Sequence, residues 1–150
     1  YAIHTNNNVA SASYIYNNTI SGSANGIIKQ SSPSFTAKNN IVQGATDGYG
    51  TGFSSSDYNV SNVASDAPSA SYRDGQATSV TFASSTTKDF HLRFDDTMAK
   101  NAGTDLSATF TTDTDNDTRT TTWDIGADDV GATLVKVHSI ADVLSFAPTS

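Results

Sequence analysis

Cysteine is absent, which excludes disulfides, thiol catalysis and Cys-based zinc sites. Glutamate is absent too, so every acidic side chain is Asp. Met occurs once and Leu is scarce, while Ser, Thr, Asn and Gly are abundant. That is nearly the inverse of a helix-forming palette, and it predicts a chain of strands and turns. No apolar run approaches the ~18 residues of a membrane-spanning helix. Cations are few. Lys and Arg number 8 against 15 Asp, the net charge is −7, and no basic cluster occurs, which argues against a nucleic-acid partner. Charged residues make up 15% and hydrophobic ones 36% of the 150 positions. Such a chain is polar but weakly charged, unlike a typical disordered segment. It begins at Tyr1 with no leader-like stretch, which reads as a processed chain or as part of a longer one.

What is present is repetition. The segment Tyr14-Ile15-Tyr16-Asn17-Asn18-Thr19-Ile20-Ser21-Gly22 is echoed by Thr36-Ala37-Lys38-Asn39-Asn40-Ile41-Val42-Gln43-Gly44, with the Asn-Asn pairs 22 positions apart. Ala2-Ile3-His4 precedes the first pair as Gly26-Ile27-Ile28 precedes the second, and Asp57-Tyr58-Asn59-Val60-Ser61 is a weaker third copy. A period in the low twenties, with short alternating strands and Asn/Gly turns, is solenoid spacing. Asn suits the corners because it tolerates the left-handed conformation that sharp turns need. Stacked at equal positions, Asn amides can also hydrogen-bond along the stack. Asn18, Asn40 and Asn59 are the expected ladder. Ile15, Ile20, Ile27, Ile41 and Val60 are expected to point inward, each onto its equivalent in the next coil.

Beyond residue 60 the pattern changes. Val80-Thr81-Phe82 and Asp89-Phe90-His91-Leu92-Arg93-Phe94 read as strands. Met98 through Gly103 reads as one helical turn ended by the glycine. A Thr/Asp tract leads to Trp123-Asp124-Ile125-Gly126-Ala127, and an apolar tail follows.

The Asn-Asn coils come first, then Asp57-Tyr58-Asn59, Asp89-Phe90-His91-Leu92 and Asn101-Ala102-Gly103-Thr104-Asp105. Asp113-x-Asp115-x-Asp117-x-Arg119 and Asp124-Ile125-Gly126-Ala127 complete the series. This order resembles the C-terminal end of bacterial right-handed parallel β-helix proteins, the pectate-lyase-like secreted family built of parallel β-helix repeats. The resemblance covers residues 1 to about 129. It implies an all-β fold, with right-handed parallel β-helix coils over 1–64, an irregular β-rich cap over 65–129 and a C-terminal tail over 130–150. Two departures stand out. Asp95-Asp96-Thr97-Met98 replaces the family's Ser-Pro-Ala, and the chain continues past Asp-Ile-Gly-Ala to Ser150.

Several candidate sites follow. Asp113, Asp115 and Asp117, with Asp124 eleven positions after the first, imitate the oxygen spacing of a calcium loop. Thr118 stands where such a loop has Gly, so a polar turn with Arg119 pairing a carboxylate is the competing reading. Calcium is the one cofactor suggested. His4, His91 and His138 lack ligand spacing and read as strand residues. Asp95-Asp96 and Asp128-Asp129 are adjacent pairs, and strand neighbours face opposite ways, so neither resembles a hydrolytic carboxylate pair. Tyr14, Tyr16, Tyr49, Phe53, Tyr58 and Tyr72 are candidates for stacking on sugar rings, with packing over loops or against a neighbouring subunit as the competing reading. In the tail, Leu134, Val135, Val137, Ile140, Leu144 and Phe146 are candidates for a subunit contact or for folding back on the chain's own cap.

Together these features point to a non-catalytic structural or surface-binding β-solenoid module of an extracellular, cell-surface or virion assembly. Adhesins, fibres and decorating proteins are of this type. The expected partners are neighbouring copies or upstream residues of the same chain, with glycans as further candidates. The alternatives are the C-terminal fragment of a secreted polysaccharide lyase or glycoside hydrolase, or a carbohydrate-binding module.

Overall fold

The computed structural model describes residues 2–5, 12–29, 35–68 and 79–131. Within them the fold is all-β, with ten short strands and no helix. The strands are β1 (Ile3–Thr5), β2 (Ser13–Tyr16), β3 (Thr19–Ser21), β4 (Asn25–Lys29), β5 (Phe35–Lys38), β6 (Ile41–Gln43), β7 (Asp47–Tyr49), β8 (Val60–Ser61), β9 (Phe82–Ser84) and β10 (Asp89–Leu92). Three small parallel sheets are ordered β1-β4-β7, β2-β5 and β3-β6-β8, while β9 and β10 form an antiparallel pair. The register follows the sequence repeat. Ser13 lies against Phe35, Thr19 against Ile41 and Asn25 against Asp47, each 22 positions on. The offset is 24 for Ile3 against Ile27 and 19 for Ile41 against Val60.

The corners explain the residue choice. Asn17, Asn39 and Tyr58 have φ of 50°, 55° and 57°, at equivalent places before β3, β6 and β8. Gly22 and Gly44 occupy the left-handed region after β3 and β6. The second Asn of each pair stacks: Asn18 Nδ2 donates to Asn40 Oδ1 at 2.9 Å, and Asn40 Nδ2 donates to Asn59 Oδ1 at 3.0 Å. The same oxygens accept the backbone N–H groups of Asn18 and Asn40. An amide is donor and acceptor at once, so one residue type repeats without leaving a buried group unpaired.

Two apolar clusters form. Ile15, Ile20, Ile27, Phe35, Val42, Ala45, Tyr49 and Ala67 make the first. Ile41 and Val60 belong to the second, with Val80, Phe82, Leu92, Ala99 and Ile125. The expectation that Ile41 and Val60 share one interior with Ile15, Ile20 and Ile27 is therefore corrected. Successive residues of a strand face opposite sides, so Val42 takes the inner position and Ile41 the outer. The 79–131 region covers that outer face.

That region is fastened to the repeat by backbone and amide contacts. Gly126 N–H donates to Asn39 O at 2.8 Å, and Asn17 Nδ2 donates to Gly126 O at 2.9 Å. Asn39 exchanges two bonds with the Thr104 backbone, and Gln43 exchanges two with that of Val80. Gly126 has φ of 105°, and a Cβ there would lie 2.6 Å from Ile41 Cδ1, so only glycine fits this fastening point. The expected helical turn from Met98 to Gly103 is a non-helical turn instead. Asp96 Oδ1 accepts from the N–H groups of Met98, Ala99 and Lys100. Asn101, with φ of 54°, supplies the left-handed residue. Gly103 serves close approach, because a Cβ there would meet the Asp124 carbonyl oxygen at 2.8 Å.

Candidate functional site

Among the described residues, Tyr14 and Tyr16 are the expected aromatics that form an accessible pair. They lie two apart on one face of β2, Tyr14 is 64% exposed, and the ring centroids are 5.8 Å apart. With Thr109 they line an open depression of about 490 Å³. Tyr49 is instead a core residue, its hydroxyl donating to the carbonyls of Asn40 at 2.9 Å and Val60 at 3.3 Å. Phe53 packs edge-on against both Phe35 and Tyr49, and Tyr58 packs half-buried against the second cluster. Strand phase thus withdraws Tyr49 from any ligand surface, while Phe53 and Tyr58 stay half-buried, a difference that composition does not reveal. Tyr72 and all six tail residues (Leu134, Val135, Val137, Ile140, Leu144 and Phe146) lie outside the described residues.

The four Asp of the calcium reading do not converge. Asp113 Oδ1 accepts from Asp115 N–H at 2.9 Å and Asp117 N–H at 3.0 Å, and its other oxygen accepts from Asp129 N–H. Asp124 is fully buried, and its two oxygens accept from Asn101 N–H and Val130 N–H, each at 2.6 Å. Burial pushes Asp124 up to about 7 against the pull of those two bonds, and the neighbouring Asp129 and Asp128 add to the rise. Among the described residues Arg119 makes no direct ion pair with a carboxylate. Its guanidinium donates to the carbonyls of Thr112, Gly126, Ala127 and Asp128. It also lies 5.1 Å from the Trp123 ring centroid and 5.9 Å from that of Phe110.

Asp115 turns elsewhere. Its Oδ2 lies 3.0 Å from His91 Nε2, while His91 Nδ1 is bonded to Asp89. Asp89 and His91 are two apart on β10 and share a face. Asp128, 7% exposed, accepts Leu92 N–H at 2.7 Å and lies beside the same imidazole. One ligand atom each from His91, Asp115 and Asp128 falls within 4.8 Å of the others, the one such grouping among the described residues. The bond from Asp89 raises His91, and the Asp128 and Asp115 charges reinforce it. Burial raises Asp128. The Asp-x-His spacing on a strand was the one sequence sign of this cluster. Its other members arrive from 24 and 37 positions downstream of His91, with no local pattern to announce them.

No protein-family model matches the chain, and no curated protein or solved structure shows significant similarity to it.

Proposed function

We propose that the chain is a right-handed parallel β-helix module with a structural, non-catalytic role in an extracellular, cell-surface or virion assembly. The observation that supports this most is the shared register of three parallel sheets, tied by the Asn18–Asn40–Asn59 ladder. In this reading each strand triplet is one coil, 79–131 is the cap, and coils stack by repeating identical contacts. The upstream end matters most for function. Among the described residues β1, β2 and β3 have a strand partner on one side only. That edge suits another coil, supplied by a neighbouring copy or by upstream chain.

Light scattering and native mass spectrometry over a concentration series test the proposal. The expected result is concentration-dependent association of this chain into a regular particle. If a chain ending at residue 131 still associates, the contact lies at the strand edges; if it does not, the contact lies in the tail. A strict monomer that degrades acidic glycans overturns the reading in favour of a polysaccharide lyase or hydrolase fragment.

A second reading rests on the Tyr14–Tyr16 depression, whose paired rings suit stacking on pyranose faces. It expects retention on a glycan matrix without turnover, abolished by Tyr14→Ala with Tyr16→Ala.

A further inference from the structure

His91, Asp115 and Asp128 come from three separate segments: strand β10, the turn closed by the Thr112–Thr118 bridge, and the stretch after Gly126. We infer that they form a binding site for a divalent d-block cation such as Zn²⁺, with Asp89 as the outer carboxylate that orients the imidazole.

Four features carry this. First, an imidazole nitrogen with two carboxylates is a donor set that favours zinc and its neighbours over calcium, whose sites are all oxygen. Second, the spacing is right. Donors ~2.0–2.2 Å from a zinc ion lie about 3–3.5 Å from one another, and His91 Nε2 and Asp115 Oδ2 are 3.0 Å apart. The three ligand atoms all lie within 4.8 Å, so modest rotation of the exposed His91 and Asp115 closes the set on the buried Asp128. Third, the second ring nitrogen is already held by Asp89, the carboxylate–histidine arrangement that fixes tautomer and ring plane at metal centres. Fourth, the arginines of this region are directed elsewhere, Arg93 to Asp95 and Arg119 to backbone carbonyls. Three carboxylates thus surround one imidazole, and a cation relieves that excess, most of all at the buried Asp128. Three protein donors leave coordination positions for water or a ligand atom.

Calorimetric titration of the tag-free chain with ZnCl₂, MnCl₂ and CaCl₂ tests the site, with the visible spectrum of the Co²⁺ form as a second readout. The expected result is one equivalent of Zn²⁺ per chain, preferred over Ca²⁺. His91→Ala and Asp115→Asn each weaken binding at least tenfold, and Asp89→Asn weakens it less. His4→Ala, His138→Ala and Asp95→Asn leave it unchanged. Both ligand variants alter exposed side chains, so the test does not depend on Asp128, whose bond to Leu92 is structural. Absence of saturable binding, or Zn²⁺ binding that survives His91→Ala, overturns the inference and leaves the cluster as an Asp89–His91–Asp115 ion bridge.

Discussion

The two halves of the molecule satisfy their buried backbone by different means. Residues 1–64 rely on Asn and contain only Asp47 and Asp57 as acids, whereas 65–129 contain twelve Asp. An amide donates and accepts, so Asn40 can bond to Asn59 on one side and to Asn18 on the other, and the pattern extends indefinitely. A carboxylate only accepts. It can gather N–H groups at a turn, as Asp96 gathers three, but it cannot stack upon itself. Asn therefore belongs where structure repeats and Asp where it stops. The boundary shows the same logic: Asp66 accepts from Gly48 N–H and Tyr49 N–H, on the edge of β7 where a further strand would otherwise pair.

Exchanging the two residue types is the sharpest way to break this contrast. In Asn40→Asp a carboxylate replaces an amide whose Nδ2 donates to Ile15 O, Lys38 O and Asn59 Oδ1. Unfolding in urea is expected to show a loss of about 3–5 kcal/mol, since a buried charge then faces acceptors. The reverse exchange is milder. Asp96→Asn keeps one acceptor and is expected to cost about 1 kcal/mol, while Asp96→Ala strips the turn of all its caps and costs about 2 kcal/mol.

A pH series sharpens the same comparison. Asp124 holds its proton to about 7 in the fold against 3.8 when free, so its stabilising contribution is full below about 4 and is lost as pH rises through 7. Burial moves Asp128 and Asp129 in the same direction. The melting temperature is expected to fall by several degrees between about pH 4 and pH 8, and Asp124→Asn should flatten that slope. Smallest of all, Tyr14→Ala is expected to change stability by about 0.5 kcal/mol or less, because the ring is largely exposed. A larger loss would mean that the ring is packed rather than presented.

These contrasts also explain what could be read from the sequence. The Asn-Asn pairs were legible because one residue type meets two demands, left-handed backbone and self-pairing, and both leave a mark at a fixed spacing. The destination of Ile41 and Val42 was not, since a strand apolar on both faces gives no phase. The choice between packing and presentation at Tyr49 was hidden for a similar reason: its hydroxyl finds buried carbonyls that only the three-dimensional stack brings near. The cluster around His91 was hidden, since a lone histidine on a strand has no ligand spacing and Asp115 and Asp128 reach it only through the fold. Asp113, Asp115, Asp117 and Asp124 suggested a loop by spacing alone, whereas backbone N–H groups compete for Asp113 and Asp124.

The bonds from Asn17 to the carbonyls of Asp124 and Gly126 span 107 and 109 positions. During synthesis the Asn17 corner must wait for a segment 107 to 109 positions downstream before its amide leaves water. Until then Ile41 and Val60 stand bare beside an open strand edge, a surface prone to clumping. Maturation should accordingly be slow and sensitive to crowding among nascent chains, and a late truncation should harm solubility more than its length suggests.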